Sequence, residues 1–251
     1  MELCLFSSAL PGWAPARVAR AATDVGLTAV EWGIGPGQPL ESPRRAGAAL
    51  EGLGVTAAGV CVQGGAASLT SPAQRLRSFA ALAAELGAPH VRVFAPEFRS
   101  DALERARNGV ARAVEIAEEY GVTVLVETAP ATIVPSTAQA AALVQGFPPD
   151  RVGVLYDPGN MAIEGHVDPR LAVAELGPYL RHVHVKNIAW RRQNGRWIWR
   201  HATLGGGVLD WAAILAALRR ARYDGRLSLD HLGGRPSLAL LRREVETLRE
   251  L

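Results

Sequence analysis

The segment TVLVETAP, residues 123–130, is a run of β-branched and leucine side chains that ends at an acidic residue, Glu127. Three later segments repeat this arrangement of a strand-like run, a metal-binding type of side chain and turn-forming residues: GVLYDPGN (153–160, with Asp157), HVHVKN (182–187, with His184) and LSLDHLGG (227–234, with Asp230). The C-terminal ends of parallel strands converge on one rim. The segments therefore predict a rim that carries three carboxylates and an imidazole.

Strand-like and helix-like segments alternate along the whole chain of 251 residues. Strands are predicted at residues 3–6, 29–34, 55–62, 90–94, 122–128, 152–157, 182–186 and 227–230, and the clearest helices at 73–86, 102–120, 211–223 and 238–251. Eight alternations in about 250 residues are typical of a (β/α)8 TIM barrel, so we predict one α/β domain over residues 1–251. A doubly wound open sheet would place a glycine-rich phosphate turn after its first strand, and SSALPGW at residues 7–13 lacks that turn.

The alternation of side chains within each strand predicts which residues face the barrel interior. Residues two apart share a face of a strand, so His182, His184 and Lys186 lie on one side and the valines between them on the other. The same alternation puts Glu127 and Asp230 opposite the branched residues of their strands. Because the helix-facing side takes the branched apolar residues, the polar set is predicted to point inward.

Composition and charge argue against several classes of function. The chain has 49% hydrophobic and 20% charged residues and a formal net charge of +3, which is ordinary for a globular protein. Its basic residues are nearly all arginines scattered along helical segments, so no nucleic-acid partner is predicted. Neither a signal peptide, nor a membrane span of roughly 20 apolar residues, nor a disulfide framework is recognisable, which indicates a cytoplasmic protein without membrane contact.

Each rim residue also has a purely structural interpretation. Glu127 and Asp230 could belong to interior ion pairs with Arg92, and Asp157 could simply open a turn, since Asp-Pro-Gly is a common turn sequence. His184 by itself could be a core histidine. Burial of several carboxylates without a cation is costly, however, so the four residues together favour a site for one divalent ion.

At these segments the chain resembles the xylose isomerase-like sugar isomerases and epimerases, a superfamily of (β/α)8 barrels that includes ketose 3-epimerases, hydroxypyruvate isomerase, inosose dehydratase and relatives of apurinic endonucleases. The resemblance is carried by VEWG (30–33), VRVFAP (91–96), ETAP (127–130), YDPGN (156–160), HVHVKN (182–187), LGGGVLDW (204–211) and YDGRLSLD (223–230). It implies metal ligands at the ends of strands five to eight, which here are Glu127, Asp157, His184 and Asp230. In this family the last ligand is usually Glu, whereas here it is Asp230. The family also often has Gly-Glu-Gly where this chain has three glycines, at residues 205–207.

Three carboxylates and one imidazole suit a hard or borderline divalent ion, with Mn²⁺ the first choice and Mg²⁺, Co²⁺ and Zn²⁺ the alternatives. Such an ion can hold two adjacent oxygens of a hydroxy-ketone and stabilise the enediolate that forms when a carboxylate removes the neighbouring proton. The predicted function is therefore a metal-dependent isomerase or epimerase of a sugar. Glu127 is the predicted base, Asp230 its partner on the opposite face, and Lys186 a cation that neutralises an enolate oxygen or orients Glu127; the structural alternative for Lys186 is a salt bridge.

Further residues are predicted to contact a small sugar or polyol substrate: Trp13, Trp32, Glu31, Asn160, His166 and His201. A dehydratase of a cyclic polyol ketone is the alternative enzyme, because it begins with the same proton abstraction, and a non-catalytic sugar-binding barrel is the alternative outside catalysis. An apurinic endonuclease is disfavoured, because several ligands of its three-metal cluster are absent together. The resemblance makes a homodimer or tetramer the expected assembly.

Overall fold

Eight parallel strands close into a barrel in a computed structural model of the chain, in the order β1-β10-β7-β6-β5-β4-β3-β2. The structure describes residues 1–34, 47, 48, 50, 52–62, 68–165 and 167–251. The barrel strands are β1 (Glu2–Phe6), β2 (Ala29–Ile34), β3 (Thr56–Val62), β4 (His90–Phe94), β5 (Thr123–Glu127), β6 (Val152–Tyr156), β7 (Leu180–Val185) and β10 (Arg226–Leu229). The predicted (β/α)8 barrel is confirmed, and each predicted strand matches an observed strand to within about two residues at either end.

Helices connect the strands on the outside of the barrel. They are α1 (Pro15–Asp24), α2 (Ala73–Glu85), α3 (Ala102–Tyr120), α4 (Thr137–Val144), α5 (Pro158–Glu164), α6 (Pro169–Leu176), α7 (Trp211–Arg220) and α8 (Leu238–Glu250), with short 3-10 turns at Ser7–Ala9, Gly177–Tyr179 and Leu204–Gly206. Within the described ranges, none of these helices is both long and apolar enough to cross a bilayer.

The apolar core lies between the barrel and the helices, as the alternation within the strands predicts. Val183 and Val185 of β7 are fully buried in this core, whereas His182 and His184 of the same strand are buried against Glu31 inside the barrel. The branched side chains therefore face the helices. The polar side chains are left to the barrel interior, where they contact one another instead of water.

A β-hairpin projects from the rim between β7 and α7, in a segment for which the sequence predicted no strand. Its antiparallel strands are β8 (Asn187–Gln193) and β9 (Arg196–Ala202). The turn is Asn194-Gly195, and both residues have positive φ angles, 50° and 77°. Asn-Gly is the preferred pair for a two-residue hairpin turn, so this dipeptide was the sequence signal that identifies the hairpin.

The buried amide of Asn187 joins this hairpin to the loop that leads into α7. Its Nδ2 donates to the carbonyl oxygens of Leu204 at 2.7 Å and Leu209 at 3.1 Å. Its Oδ1 accepts from the backbone amides of Ile188 at 2.9 Å and Leu209 at 3.0 Å. One side chain thus satisfies four backbone groups in a segment that follows directly on the rim residue Lys186.

We expect Asn187→Leu to lower the free energy of unfolding by about 2–4 kcal/mol, because leucine fills the space but leaves buried backbone groups without partners. Chemical denaturation followed by circular dichroism measures this effect. Gln193→Leu, which makes a similar change on the exposed end of β8, is the control and should change the stability by less than about 0.5 kcal/mol. Equal losses in the two variants would contradict the anchoring role of Asn187.

Candidate metal centre

Three carboxylates surround one nitrogen of His184 at the C-terminal rim of the barrel. The Nδ1 of His184 lies 3.6 Å from Glu127 Oε1, 3.7 Å from Asp157 Oδ2 and 4.0 Å from Asp230 Oδ2. Ligand atoms that share one ion at about 2.0–2.2 Å are separated from each other by roughly 3–3.5 Å. The fold therefore brings all four predicted ligands together, with spacings near those of a metal site.

Asp157 stands between strand β6 and helix α5, and its two carboxylate oxygens have different partners. Oδ1 caps the helix by accepting from the backbone amide of Asn160 at 2.9 Å. Oδ2 faces the cluster and lies 2.7 Å from Lys186 Nζ. The turn-opening and metal-binding interpretations of Asp157 are consequently compatible, because each uses a different oxygen.

Glu127 ends strand β5 and is held from two sides. Its Oε2 lies 2.9 Å from the Nε of Arg92, and both side chains are nearly inaccessible to solvent. Its Oε1 accepts from the side-chain amide of Asn160 at 2.9 Å. Arg92 is thus the ion-pair partner that the sequence suggested, and Asn160 turns Glu127 toward His184.

His184 is oriented by contacts on its ring and on its second nitrogen. Nε2 lies 2.9 Å from the carboxylate of Glu31, and the ring stacks on Phe6 with 5.0 Å between centroids. A carboxylate on the far nitrogen is the usual partner of a metal-binding histidine. Burial disfavours the charged imidazolium, but the nearby Glu31 carboxylate and the other acceptors around the ring raise the pKa of His184 well above its usual range.

Lys186 bridges two of the carboxylates. Its ammonium lies 2.7 Å from Asp157 Oδ2 and 2.7 Å from Asp230 Oδ2. Burial opposes the charge of Lys186, but these two carboxylates raise the pKa of the ammonium above its usual value. The structural alternative for Lys186, a salt bridge, is therefore present. It involves two of the predicted metal ligands.

Asp230 lies at the margin of the cluster. Its Oδ1 accepts from Ser8 Oγ at 3.0 Å, and its Oδ2 is farther from His184 Nδ1 than the oxygens of Glu127 and Asp157 are. Burial raises and Lys186 lowers the pKa of Asp230, and the net shift is downward. Glu127, Asp157 and His184 therefore form a close group of three ligand candidates. Asp230 is the fourth candidate and lies farther from His184 than the other two acids do.

The residues present fit a divalent ion. The Nδ1 of His184 is buried without a hydrogen-bond partner in the described part of the chain, although three acceptors face it. An ion that displaces the proton of His184 would pair this nitrogen and the carboxylate oxygens at once. Carboxylates with an imidazole suit Mn²⁺, Mg²⁺, Co²⁺ or Zn²⁺.

The predicted substrate contacts fall into different environments. Asn160 lies in the first turn of α5, and His201 lies on β9, where its ring stacks on His231 with 3.6 Å between centroids. Trp13 is partly buried, with the guanidinium of Arg17 3.6 Å from its ring centre. His166 lies outside the described residues.

Glu31 and Trp32 occupy the two faces of strand β2 below the rim. Glu31 is completely buried beneath His184, so a substrate at the rim would have to displace that ring to reach it. Trp32 is packed in the main apolar core and is 4% exposed. Glu31 therefore lies behind a ligand candidate, and the ring of Trp32 lies in the apolar core instead of at the rim.

Sequence reasoning missed three residues beside the site. Ser8 reaches Asp230 from the turn after β1, and His231 covers His201 from the loop after β10. His90, at the start of β4, joins the buried network around Glu31. His231 directly follows Asp230 in the sequence and could have been suspected for that reason, whereas no local signal in the sequence marks Ser8.

A cavity of about 630 Å³ opens beside the C-terminal ends of β4 and β5, and Glu127 is not among its lining residues. Its lining includes Asn160, Phe94, Thr132 and the two arginines Arg99 and Arg105. Asn160 joins the cavity to the cluster, because its side-chain amide contacts Glu127. The cavity has the size of small-molecule binding sites, which is about 300–1,000 Å³.

Comparison with known proteins identifies the family. Residues 19–251 match the family model described as "Xylose isomerase-like TIM barrel". The inosose dehydratase of Lacticaseibacillus casei is 26% identical over 145 residues, which cover 52% of this chain and 47% of that protein. The chain therefore matches about half the length of this curated relative.

Two solved structures share the fold over nearly the whole chain. A probable 3-DHS dehydratase from Bacillus anthracis, AsbF, superposes with a TM-score of 0.80 at 18% identity, covering 99% of each chain. D-allulose 3-epimerase from Methylomonas sp. in complex with D-allulose superposes with a TM-score of 0.80 at 15% identity, covering 100% of this chain and 96% of that chain. With the family model matching most of its length, the chain belongs to the xylose isomerase-like TIM barrel family.

Proposed function

We propose that the protein is a divalent-metal-dependent enzyme that removes the proton next to the carbonyl of a sugar or polyol ketone, and that it isomerises or epimerises this substrate. The observation that carries the proposal is the unpartnered Nδ1 of His184 among three carboxylate oxygens. Glu127, Asp157, His184 and Asp230 would hold the ion. When bound, the ion would supply Lewis-acid stabilisation of the negative charge that develops on the substrate oxygens.

Glu127 is the group best placed to take the proton. Its carboxylate ends β5 next to Asn160, which lines the rim cavity. The guanidinium of Arg92 at 2.9 Å restricts the rotation of the carboxylate. A fixed, ionised carboxylate within hydrogen-bond reach of a substrate carbon acid is what general-base catalysis requires.

Lys186 and Asp230 would act on the side of the site opposite Glu127. The Lys186 ammonium donates to Asp230 Oδ2 at 2.7 Å, so the two form a donor–acceptor pair that can return a proton to the substrate. Once an ion has displaced the proton of His184, this ring is neutral, and the three rim carboxylates exceed the charges of Arg92 and Lys186 by one. A divalent ion would reverse this balance to a single positive charge, which suits a substrate that becomes negative during the reaction.

A dehydratase is the second candidate, and the curated relatives favour it, because they are inosose dehydratases. Elimination of water begins with the same proton abstraction and then needs an acid for the departing hydroxyl group. Besides the pair of Lys186 and Asp230, the residue His201, which is half-buried and stacked on His231 at the rim, is a candidate donor of this proton.

One experiment tests the proposal and separates the two candidates. The purified protein is loaded with Mn²⁺ and incubated in D₂O with a panel of ketohexoses, ketopentoses and inososes, and the products are analysed by mass spectrometry and NMR. Isomerisation or epimerisation incorporates deuterium and keeps the carbon skeleton and all hydroxyl groups. Dehydration instead yields a product that has lost water. If no panel member exchanges a proton, the catalytic proposal is wrong and a sugar-binding barrel becomes the better interpretation.

Lys186→Met should slow the exchange of the substrate proton by about 10²-fold or more, because the ammonium that contacts both Asp157 and Asp230 is lost. Binding of the ion should persist or strengthen, since a positive charge next to two of its ligands is removed. Lys186→Arg keeps the charge and should retain more activity than the methionine variant. Exchange at the wild-type rate in Lys186→Met would show that the lysine only balances charge.

A further inference from the structure

A second cluster of metal-binding side chains lies inside the barrel below the rim site. It consists of Glu31 on β2, His90 on β4 and His182 on β7, all of them buried. We call these three residues the floor cluster. The proposed reaction at the rim uses neither His90 nor His182.

The distances within the floor cluster fit ligands around one ion. His90 Nε2 lies 3.3 Å from Glu31 Oε1, and His182 Nε2 lies 3.3 Å from Glu31 Oε2. Two ligands on a tetrahedral zinc ion with bonds of about 2.0–2.1 Å are separated by roughly 3.3–3.4 Å. Without an ion the same two contacts are hydrogen bonds, longer than the roughly 2.7–2.9 Å of a charge-assisted bond.

The two imidazoles converge because the neighbouring strand leaves room for them. A β-carbon added at Gly59 of β3 would lie 2.1 Å from His90 Nε2. The absence of a side chain at Gly59 therefore lets His90 point into the barrel, where its ring lies 4.6 Å from that of His182. Both rings present their Nε2 atoms to the same carboxylate.

The floor cluster is reached from the face of the barrel opposite the rim. A cavity of about 320 Å³ opens there, and its lining includes both His90 and His182. Two acids, Glu2 and Asp224, and two arginines, Arg181 and Arg226, also line this cavity. An ion could therefore reach the histidines from solvent without passing through the rim site.

We propose that Glu31, His90 and His182 form a second divalent-metal site, at the floor of the barrel, and that it takes zinc. Two imidazoles and one glutamate, with water in the fourth position, are a ligand set that zinc uses in proteins. The carboxylate of Glu31 also contacts His184 Nε2 at 2.9 Å. An ion bound at the floor cluster would therefore hold Glu31 in place. Because Glu31 orients His184, a ligand candidate of the rim site, the two sites would be coupled.

The test measures metal binding in a protein whose rim site is disabled. Asp157→Ala is stripped with a chelator and titrated with Zn²⁺, and the bound metal is counted by elemental analysis after gel filtration. We expect one equivalent, and X-ray absorption of this zinc should show two imidazole ligands. Adding His90→Gln to this background should weaken binding by more than about 100-fold, since loss of a direct ligand exceeds the effect of outer partners.

Thr123→Ala in the same background is the matched control, because Thr123 lines the floor cavity but offers no imidazole. It should bind zinc as Asp157→Ala does. Folded Asp157→Ala that binds no zinc would overturn the proposal, and so would zinc that stays bound in the His90→Gln double variant. A zinc spectrum without imidazole ligands would overturn it independently, even if the double variant fails to fold. None of these results depends on turnover, so the floor site can fail while the proposed reaction stands.

Discussion

Asp157→Ala is expected to abolish binding of the rim ion and turnover while the barrel stays folded. Asp157 Oδ2 lies 3.7 Å from His184 Nδ1 and 2.7 Å from Lys186 Nζ, so the substitution removes a ligand candidate from the middle of the cluster. Alanine offers no donor atom in its place, whereas a glutamine side chain would still offer an oxygen. The stability loss should exceed the roughly 1 kcal/mol of the helix cap at α5, because the ion pair with the buried Lys186 is lost as well.

The measurement is Mn²⁺ binding by isothermal titration, together with circular dichroism of the same samples. Asp210→Ala is the matched control, because Asp210 caps α7 in the same way, accepting from the amide of Ala213 at 3.0 Å. This variant should lose only the contribution of the helix cap and keep the ion. If Asp157→Ala bound Mn²⁺ with wild-type affinity, Asp157 would not be a ligand of the rim ion.

Glu127→Gln is expected to bind the ion with reduced affinity. The rate at which the substrate proton exchanges should fall by about 10²–10⁴-fold, the usual contribution of a general base. The amide has nearly the same size as the carboxylate, and its one oxygen can still accept from either Asn160 or Arg92, which contact different oxygens of Glu127. It cannot accept a proton from carbon at neutral pH. Asp157, His184 and Asp230 remain to hold the ion.

Deuterium uptake from D₂O into the substrate, followed by NMR in the presence of saturating Mn²⁺, measures this loss apart from metal affinity. Glu119→Gln is the control, since Glu119 pairs with Arg77 on the outer surface of the protein. It should exchange at the wild-type rate. If Glu127→Gln also exchanges at that rate, another residue is the base, and Asp230 becomes the first to test.

The barrel could be predicted because its signals are local. Each strand carries its apolar run and its turn residues together, and the alternation of Val183, His184 and Val185 already separates the helix-facing side from the interior. The hairpin β8–β9 was missed for a different reason. Its strands alternate weakly, because much of the hairpin is exposed, and its clearest signal was the Asn194-Gly195 turn.

The choice of ligand candidates followed from the sequence because parallel strands must bring their ends to one rim. Their partners did not follow, since each partner comes from a distant element. Ser8 reaches Asp230 across 222 positions of the chain, and Glu31 reaches His184 across 153. No spacing within a strand or helix encodes such contacts.

The sequence alone determined the barrel, the inward face of each strand and the set of acids and histidine at the rim. All of these depend on periodicity and on the common direction of parallel strands. Only the tertiary structure decided that Asp230 lies at the margin of the cluster, that Lys186 bridges two acids and that His90 and His182 share the carboxylate of Glu31. Those relations depend on closure of the barrel, which sets the distances between side chains on strands that are far apart in the chain.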